Sequence, residues 1–477
     1  MKNLNIVIVF GLLIITLVIS GCKITKTIET NEIKNLPESF MNSKDSSSSA
    51  NLNYKSFFAD TNLQILINES LINNYDLLIA LQKIERANNE VKFSKNLLFP
   101  NVSAVSSVGQ RKFGNYTMDW AGNKITEITP GKIIPIHLQD YFVGLQTSWE
   151  LDVWGKLRNK KRASLLRFAA TLEGKNLIIT NLIAEISSSY FQLISLDNEL
   201  EIIKETILNQ ENSLELMKIQ KEVGIVNELA VKQFEAQLLN SKSFEFEIIQ
   251  KITEEENKIC YLVGRFPQKV NRSINTLNAF LSNQLKEGIP SELLKNRPDI
   301  RMTENELLAS KADLSAAKAA FYPSLNINGS IGYQAFQTRY LFSSPASIAY
   351  SILGNISAPL INRNAIKTEF KNANSLQQEA LYNYQKSILN GFIEVNNEIA
   401  QIKNLQNQLE FKESQTKILN NAIEISLDIF KTGRSNYLEV LSVQSNALQS
   451  KIELVNIKMQ QAKAMINLYK SLGGGWK

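Results

Sequence analysis

Val223-Gly224-Ile225-Val226-Asn227-Glu228-Leu229 returns 209 positions later as Thr432-Gly433-Arg434-Ser435-Asn436-Tyr437-Leu438. From Gly224 to Lys242 seven of nineteen residues are identical at that offset, among them Asn227/Asn436, Val231/Val440 and Ser241/Ser450. Upstream the offset is 223 and pairs Asn73/Asn296, Asp76/Asp299, Lys95/Lys318, Pro100/Pro323 and Gly109/Gly332. The difference of 14 places an insertion in the first copy between Gly109 and Gly224. The chain therefore reads as one body of two similar halves, 61–270 and 271–477, with the same elements in the same order.

The repeated stretch also says what each half does locally. Glycine accepts the left-handed conformation that ends a helix, and an Asn three residues later caps the returning one. Gly224 with Asn227, and Gly433 with Asn436, thus predict two helical hairpins with glycine tips. All ten prolines lie outside 136–266 and 360–477, so two stretches of more than 110 residues hold no helix breaker. Within the first, Leu182, Ile186, Tyr190, Leu193, Leu196, Leu200, Ile203 and Ile207 recur at three and four. Patterns of that length predict coiled-coil helices. From Gly155 to Gly224 an unbroken helix would reach on the order of 100 Å.

A period of two occupies the region before each long helix. Leu325, Ile327, Ile331, Tyr333 and Ala335 alternate with Asn326, Asn328, Ser330, Gly332 and Gln334. Ile348 to Ala358 and Tyr141 to Asp152 behave alike, and Val102 to Gln110 more weakly. Strands of about ten residues suit a tilted crossing of a bilayer. No run of 18 apolar residues follows the amino-terminal segment, which argues against a helical span. A soluble sheet with one buried face would alternate in the same way. Four strands cannot close a barrel, and an open edge in lipid leaves backbone groups unpaired. Membrane insertion would require several chains to share one barrel, with the copy number left open.

The amino terminus bears on that choice. Lys2, the apolar run Ile6 to Val18 and Ile19-Ser20-Gly21-Cys22 form a lipoprotein signal, residues 1–21, with acylation expected on Cys22. Residues 22–60 are polar, hold Ser46-Ser47-Ser48-Ser49, and read as an anchored tether. Removing 1–21 takes away Lys2 and lowers the formal charge from +6 to +5, mild for this length and no sign of a nucleic-acid partner. Cys260 is then the sole cysteine, which rules out an internal disulfide and leaves a packed small side chain. His137 is the sole histidine and lies in the insertion 111–140, expected to be a surface loop. One histidine builds neither a His-based triad nor a multi-histidine metal site, so no enzyme and no cofactor are expected. Gly473-Gly474-Gly475 reads as a flexible end. The cluster Lys156, Arg158, Lys160, Lys161, Arg162 and Arg167 reads first as a solvated face and second as a contact for lipid phosphates.

Leu293-Leu294-Lys295-Asn296-Arg297-Pro298-Asp299-Ile300-Arg301, Phe321-Tyr322-Pro323-Ser324, Trp149-Glu150-Leu151-Asp152-Val153-Trp154-Gly155 and the terminal Leu472-Gly473-Gly474-Gly475-Trp476 together resemble the TolC-like outer-membrane factors. The nearest match is their lipoprotein branch, which serves resistance-nodulation-division efflux pumps. The resemblance implies a mixed membrane protein, mainly α. Four strands per chain would enter a shared outer-membrane β-barrel of a homotrimer, continuing into a long α-helical coiled-coil barrel in the periplasm. It also implies a passive conduit joined to an inner-membrane transporter through a periplasmic adaptor that touches the glycine-tipped hairpins.

In that family acidic residues six and nine positions past the tip glycine form rings at the periplasmic closure. Those positions are Glu439 and Ser442 in the second half, Ala230 and Gln233 in the first, so one acidic ring, of Glu439, would survive. Phe430, three before Gly433, and Arg434 complete the gate candidates. Pro359-Leu360-Ile361-Asn362-Arg363-Asn364 stands where many relatives carry a glycine pair, which puts a local bend in question. A lipid-anchored coiled-coil spacer would explain the helices without the strands, and a surface adhesin would use the insertion.

Overall fold

The computed structural model describes residues 37, 39–40, 52–273, 276–282, 288–358 and 364–476. The signal segment, Cys22, Ser46–Ser49 and most of the Pro359–Asn364 stretch lie outside the described residues. The main elements are α1 (Thr61–Asn73), α2 (Tyr75–Asn96), β1 (Asn101–Arg111), β2 (Leu138–Leu151), α3 (Lys156–Glu222) and α4 (Glu228–Val263). There follow α5 (Pro298–Ala319), β3 (Ser324–Ala335), β4 (Ile348–Ser357), α6 (Asn364–Lys431) and α7 (Tyr437–Ser471). Helix α3 runs 67 residues and α6 runs 68, each without a break.

Two compact units form, and each draws on both halves of the sequence. One holds 86–168 and 305–381; the other holds the described parts of 32–85, 169–304 and 382–477.

The first unit carries an antiparallel sheet in the order β1-β2-β3-β4. Directly opposite residues share a face, so the register assigns the two sides. Rows such as Ala104–Leu145–Ile331–Tyr350 and Val102–Thr147–Gly329–Ile352 make one face, and Ser103–Gln146–Ser330–Ser351 belongs to the other. Below the sheet Phe321 and Phe370 pack edge to face, with Leu314 and Ala317, in a small core. The insertion differs from a plain loop: it forms a short helix, Met118–Asn123, and a small hairpin of Glu127–Thr129 with Lys132–Ile133. The Thr117 hydroxyl accepts from the Trp120 amide and starts that helix.

The second unit is built on the stripe of α3. Of its eight apolar positions, seven are 9% exposed or less and Leu200 is partly buried. Each such side chain stabilises by about 1.5–3 kcal/mol when removed from water. One window of α3 is apolar enough in composition for a membrane span, but 61% of it is buried within the protein, so it is core. Around Ile183, Ile186 and Ile194 sits an aromatic cluster in which Phe57 stacks on Tyr469 and Phe191 on Phe280, with centroids 4.1 and 4.6 Å apart. Cys260 is buried against it.

The carboxy terminus corrects the reading of a flexible end. Leu472 to Gly475 are buried, and the Trp476 indole donates to the Asn296 carbonyl at 3.0 Å. Gly473 has φ +89°, and a Cβ there would lie 2.5 Å from that same carbonyl. Gly264, at φ +82°, meets the Asn73 carbonyl at the same distance. The glycines are required by close backbone approach, which composition alone does not distinguish from flexibility.

Candidate functional site

On the first face of the sheet apolar side chains stand in solvent. Val102, Val108, Leu145, Ile331, Tyr350, Ile352 and Ile356 range from 48 to 82% exposed. The opposite face is largely hydroxyl and amide, interrupted by Val105, Phe142 and Leu353, with Ser330 and Ser351 hydroxyls 2.8 Å apart and Gln334 donating to Asp140 at 2.8 Å. The outer edges of β1 and β4 pair with no strand among the described residues. A soluble sheet would bury its apolar face and wet the other; this sheet leaves both faces in solvent against its own chain. His137 is exposed, and no group of three metal-ligating side chains occurs among the described residues.

The three helix–strand junctions among the described residues lie at one end of the sheet, and aromatic side chains fix them. Trp149 donates through its indole to the Leu98 carbonyl at 3.0 Å, and Trp154 to the Pro323 carbonyl at 2.8 Å while stacking on Tyr322. Asp152 receives the amides of Leu157 and Arg158 at 2.8 and 2.9 Å, so its carboxylate caps α3.

In the second unit the two hairpin tips share one hydrogen-bond pattern. At the first, Gly224 (φ +75°) donates to Lys221 and Ile225 to Gln220; at the second, Gly433 (φ +73°) donates to Phe430 and Arg434 to Ile429. These are the bonds of a helix ended by a left-handed glycine. Asn227 then accepts from the Ala230 amide at 3.0 Å and Asn436 from Leu438 at 3.3 Å, starting α4 and α7.

The tips differ across their mouths. Lys221 pairs with Glu228 at the first, and holds that carboxyl below its ordinary range. The equivalent positions of the second tip are Phe430 and Tyr437, both packed in an apolar cluster with Phe234 and Val440. Phe430 is thus buried within its own chain, at 6% exposure. Glu439 and Arg434 are exposed, and the Ser435 hydroxyl donates to the Glu439 carboxylate. Val223, Ile225 and Leu229 expose 57 to 67% of their surface at the first tip.

A third arrangement escaped the sequence. Arg297, 8% exposed, donates to both Asp299 oxygens, to Glu394 and to the Ser471 carbonyl. Asn-Arg-Pro-Asp marks a helix start, and Pro298 and Asp299 do open α5, but nothing in the spacing points to Glu394 or to the end of α7.

The chain matches the model of the family described as outer membrane efflux protein over residues 66–265 and 289–474. It is similar to the cation efflux system protein CusC of Escherichia coli O6:H1, 25% identical over 468 residues, covering 97% of this chain and 98% of that one. The solvent efflux pump outer membrane protein SrpC of Pseudomonas putida is 27% identical, with 88 and 87% covered. The fold is that of the open-state MtrE outer membrane channel of Neisseria gonorrhoeae, with a TM-score of 0.82 at 23% identity over 96% of this chain and 99% of the other. Both segments of the family model together take in most of the sequence, helices and strands alike, and this chain belongs to the outer membrane efflux protein family.

Proposed function

We propose that the chain is one of three identical subunits of an outer-membrane conduit serving a tripartite efflux pump. The observation that carries this reading is the open four-stranded sheet with its apolar face in solvent. In lipid that face is satisfied, the polar face lines a bore, and the unpaired edges require strands from other copies. Four strands from each of three chains would close a barrel of twelve, and the two sequence halves would contribute one hairpin each. Acylation of Cys22 would add an anchor, and the coiled-coil hairpins would extend into the periplasm.

The exposed apolar residues around Gly224 and the capped turns at Asn227, Gly433 and Asn436 suit contact with a periplasmic adaptor. A resistance-nodulation-division transporter in the inner membrane would supply the energy. Glu439 with Arg434 would form the narrowest ring, three carboxylates attracting cations and repelling one another. Phe430 would act from behind this ring, by holding the tip of α6 to the apolar cluster.

The relatives named for cations and for solvents leave two cargo classes. The polar face of the sheet presents Ser, Asn and Gln with Asp140, Glu150 and a few apolar side chains, and no His, Cys or Met, so nothing on it favours a soft metal, and organic solutes are the cargo favoured here. The test is a deletion strain challenged with dyes, solvents, copper and silver, together with planar-bilayer conductance of the purified protein. Sensitivity to organic compounds and stable conductance are expected. A monomer that leaves bilayers impermeable would overturn the reading.

A further inference from the structure

We infer that the helix–strand junctions form a binding site for anionic phospholipid head groups; the inference rests on the membrane reading of the sheet. From Val153 to Leu172 the chain holds six cations and no carboxylate. Three of the six are answered internally: Lys156 by Glu150 at 2.8 Å, Arg158 by Asp152 at 3.0 Å, and Arg167 by Asp313. Lys160, Lys161 and Arg162 make no ion pair among the described residues, and Lys160 and Arg162 are exposed.

Their place is electrostatically costly. They occupy the second turn of α3, adjacent to one another and to Arg158, and the two carboxylates at that terminus are already engaged, Glu150 by Lys156 and Asp152 by two amides and Arg158. An external anion would offset that cost. Lys95 and Lys318, both exposed, close the helices that enter β1 and β3, five residues before Pro100 and Pro323. Topology brings all these cations to the same end of the sheet.

The apolar boundary lies beside them. Trp154 is 50% exposed while its indole is spent on Pro323, and Phe99 and Val153 are 59 and 54% exposed. Exposed aromatic residues at the end of an apolar sheet face mark the level of the head groups, and long cationic side chains reach phosphate from there. The ligand class is therefore a phosphodiester carrying net negative charge, held by an acyl body against the aromatic rim. Each such cation contributes roughly fivefold in affinity for an anionic surface.

The experiment uses the full-length protein in liposomes and compares it with the triple variant Lys160→Gln, Lys161→Gln, Arg162→Gln. Tryptophan quenching is read with brominated phosphatidylglycerol and with brominated phosphatidylcholine, and retained lipids are counted by native mass spectrometry. Native protein should retain phosphatidylglycerol preferentially and be quenched more by its brominated form. The triple variant should lose most of that preference while its quenching by phosphatidylcholine and its melting curve stay unchanged. Equal retention of both lipids by the native protein, an unchanged preference in the variant, or displacement by millimolar inorganic phosphate alone would overturn the head-group site. Absence of quenching by either lipid would instead overturn the membrane reading of the sheet.

Discussion

Replacing Arg297 with Met removes a cation shared by three pieces of the second unit. The guanidinium donates to Asp299 at 3.0 and 2.6 Å, to Glu394 at 2.7 Å and to the Ser471 carbonyl at 2.9 Å. Breaking a buried ion pair costs about 3–5 kcal/mol when one partner is left behind. Here Asp299 and Glu394 are 22 and 43% exposed and regain water, which trims that figure, whereas the Ser471 carbonyl is left buried and unpaired. The net expectation is about 3 kcal/mol, concentrated where α7 ends, and corresponds to roughly 100-fold faster local opening. Hydrogen exchange at the Leu472 and Gly473 amides, which bond to Leu468 and Lys470, reads it directly. Arg297→Lys should recover only part of the protection, because an ammonium cannot hold Asp299 through two parallel bonds. Exchange accelerated less than threefold in Arg297→Met, or Lys behaving as Arg, would refute the assignment of this residue as a clamp.

Ile352→Lys places a charge on the exposed apolar face and should cost about 2–4 kcal/mol in the membrane, seen as lost heat-resistant oligomer. Ser351→Lys, one residue earlier and on the opposite face, should assemble normally. Gly264→Ala and Gly473→Ala must displace the Asn73 and Asn296 carbonyls and should lower the melting temperature sharply. Gly224→Ala and Gly433→Ala meet nothing within 4 Å and should lose only the about 1–2 kcal/mol of left-handed backbone strain. Burial raises the pKa of Glu199, with Lys251 opposing, so the charged form is disfavoured in the fold and stability falls as pH rises through the folded value. Glu199→Gln should therefore raise the melting temperature at pH 8 and give no gain at pH 4. Glu439→Gln should reduce cation preference in reversal-potential measurements; unchanged selectivity would remove the acidic ring.

The elements were legible where one physical requirement repeats along the chain. Period two at Leu325–Ala335 falls on β3, and the three-and-four spacing from Leu182 to Ile207 is the buried stripe of α3, because each repeat reports a single continuous face. The tips were legible because a left-handed turn and a cap select Gly and Asn. Sequence reaches less far where one residue answers to distant partners. Gly473-Gly474-Gly475 has the composition of a loose end, but the Asn296 carbonyl and the Tyr469 ring occupy the space where side chains would stand. Phe430 shares its position in the repeat with Lys221, yet the first tip uses that place for an ion pair and the second for apolar packing. The Arg297 clamp joins residues up to 174 positions apart, which no local period encodes.

The two tips show how a duplicated element can keep its geometry and change its consequence. The backbone bonds of Gly224 and Ile225 match those of Gly433 and Arg434, so each hairpin reverses in the same way. Across the mouth, however, Lys221 with Glu228 is exposed and stabilises little, since solvent and salt screen such pairs. Phe430 with Tyr437 instead joins a cluster that includes Ile203, Met217, Phe234 and Val440, drawn from α3, α4 and α7. Moving the second tip therefore means exposing Phe430 and Tyr437, whereas moving the first exchanges a solvated ion pair for water and frees only Val226 of the tip residues from the same cluster. If the tips rearrange during transport, the barrier sits in the second hairpin, which is also the one that carries Glu439.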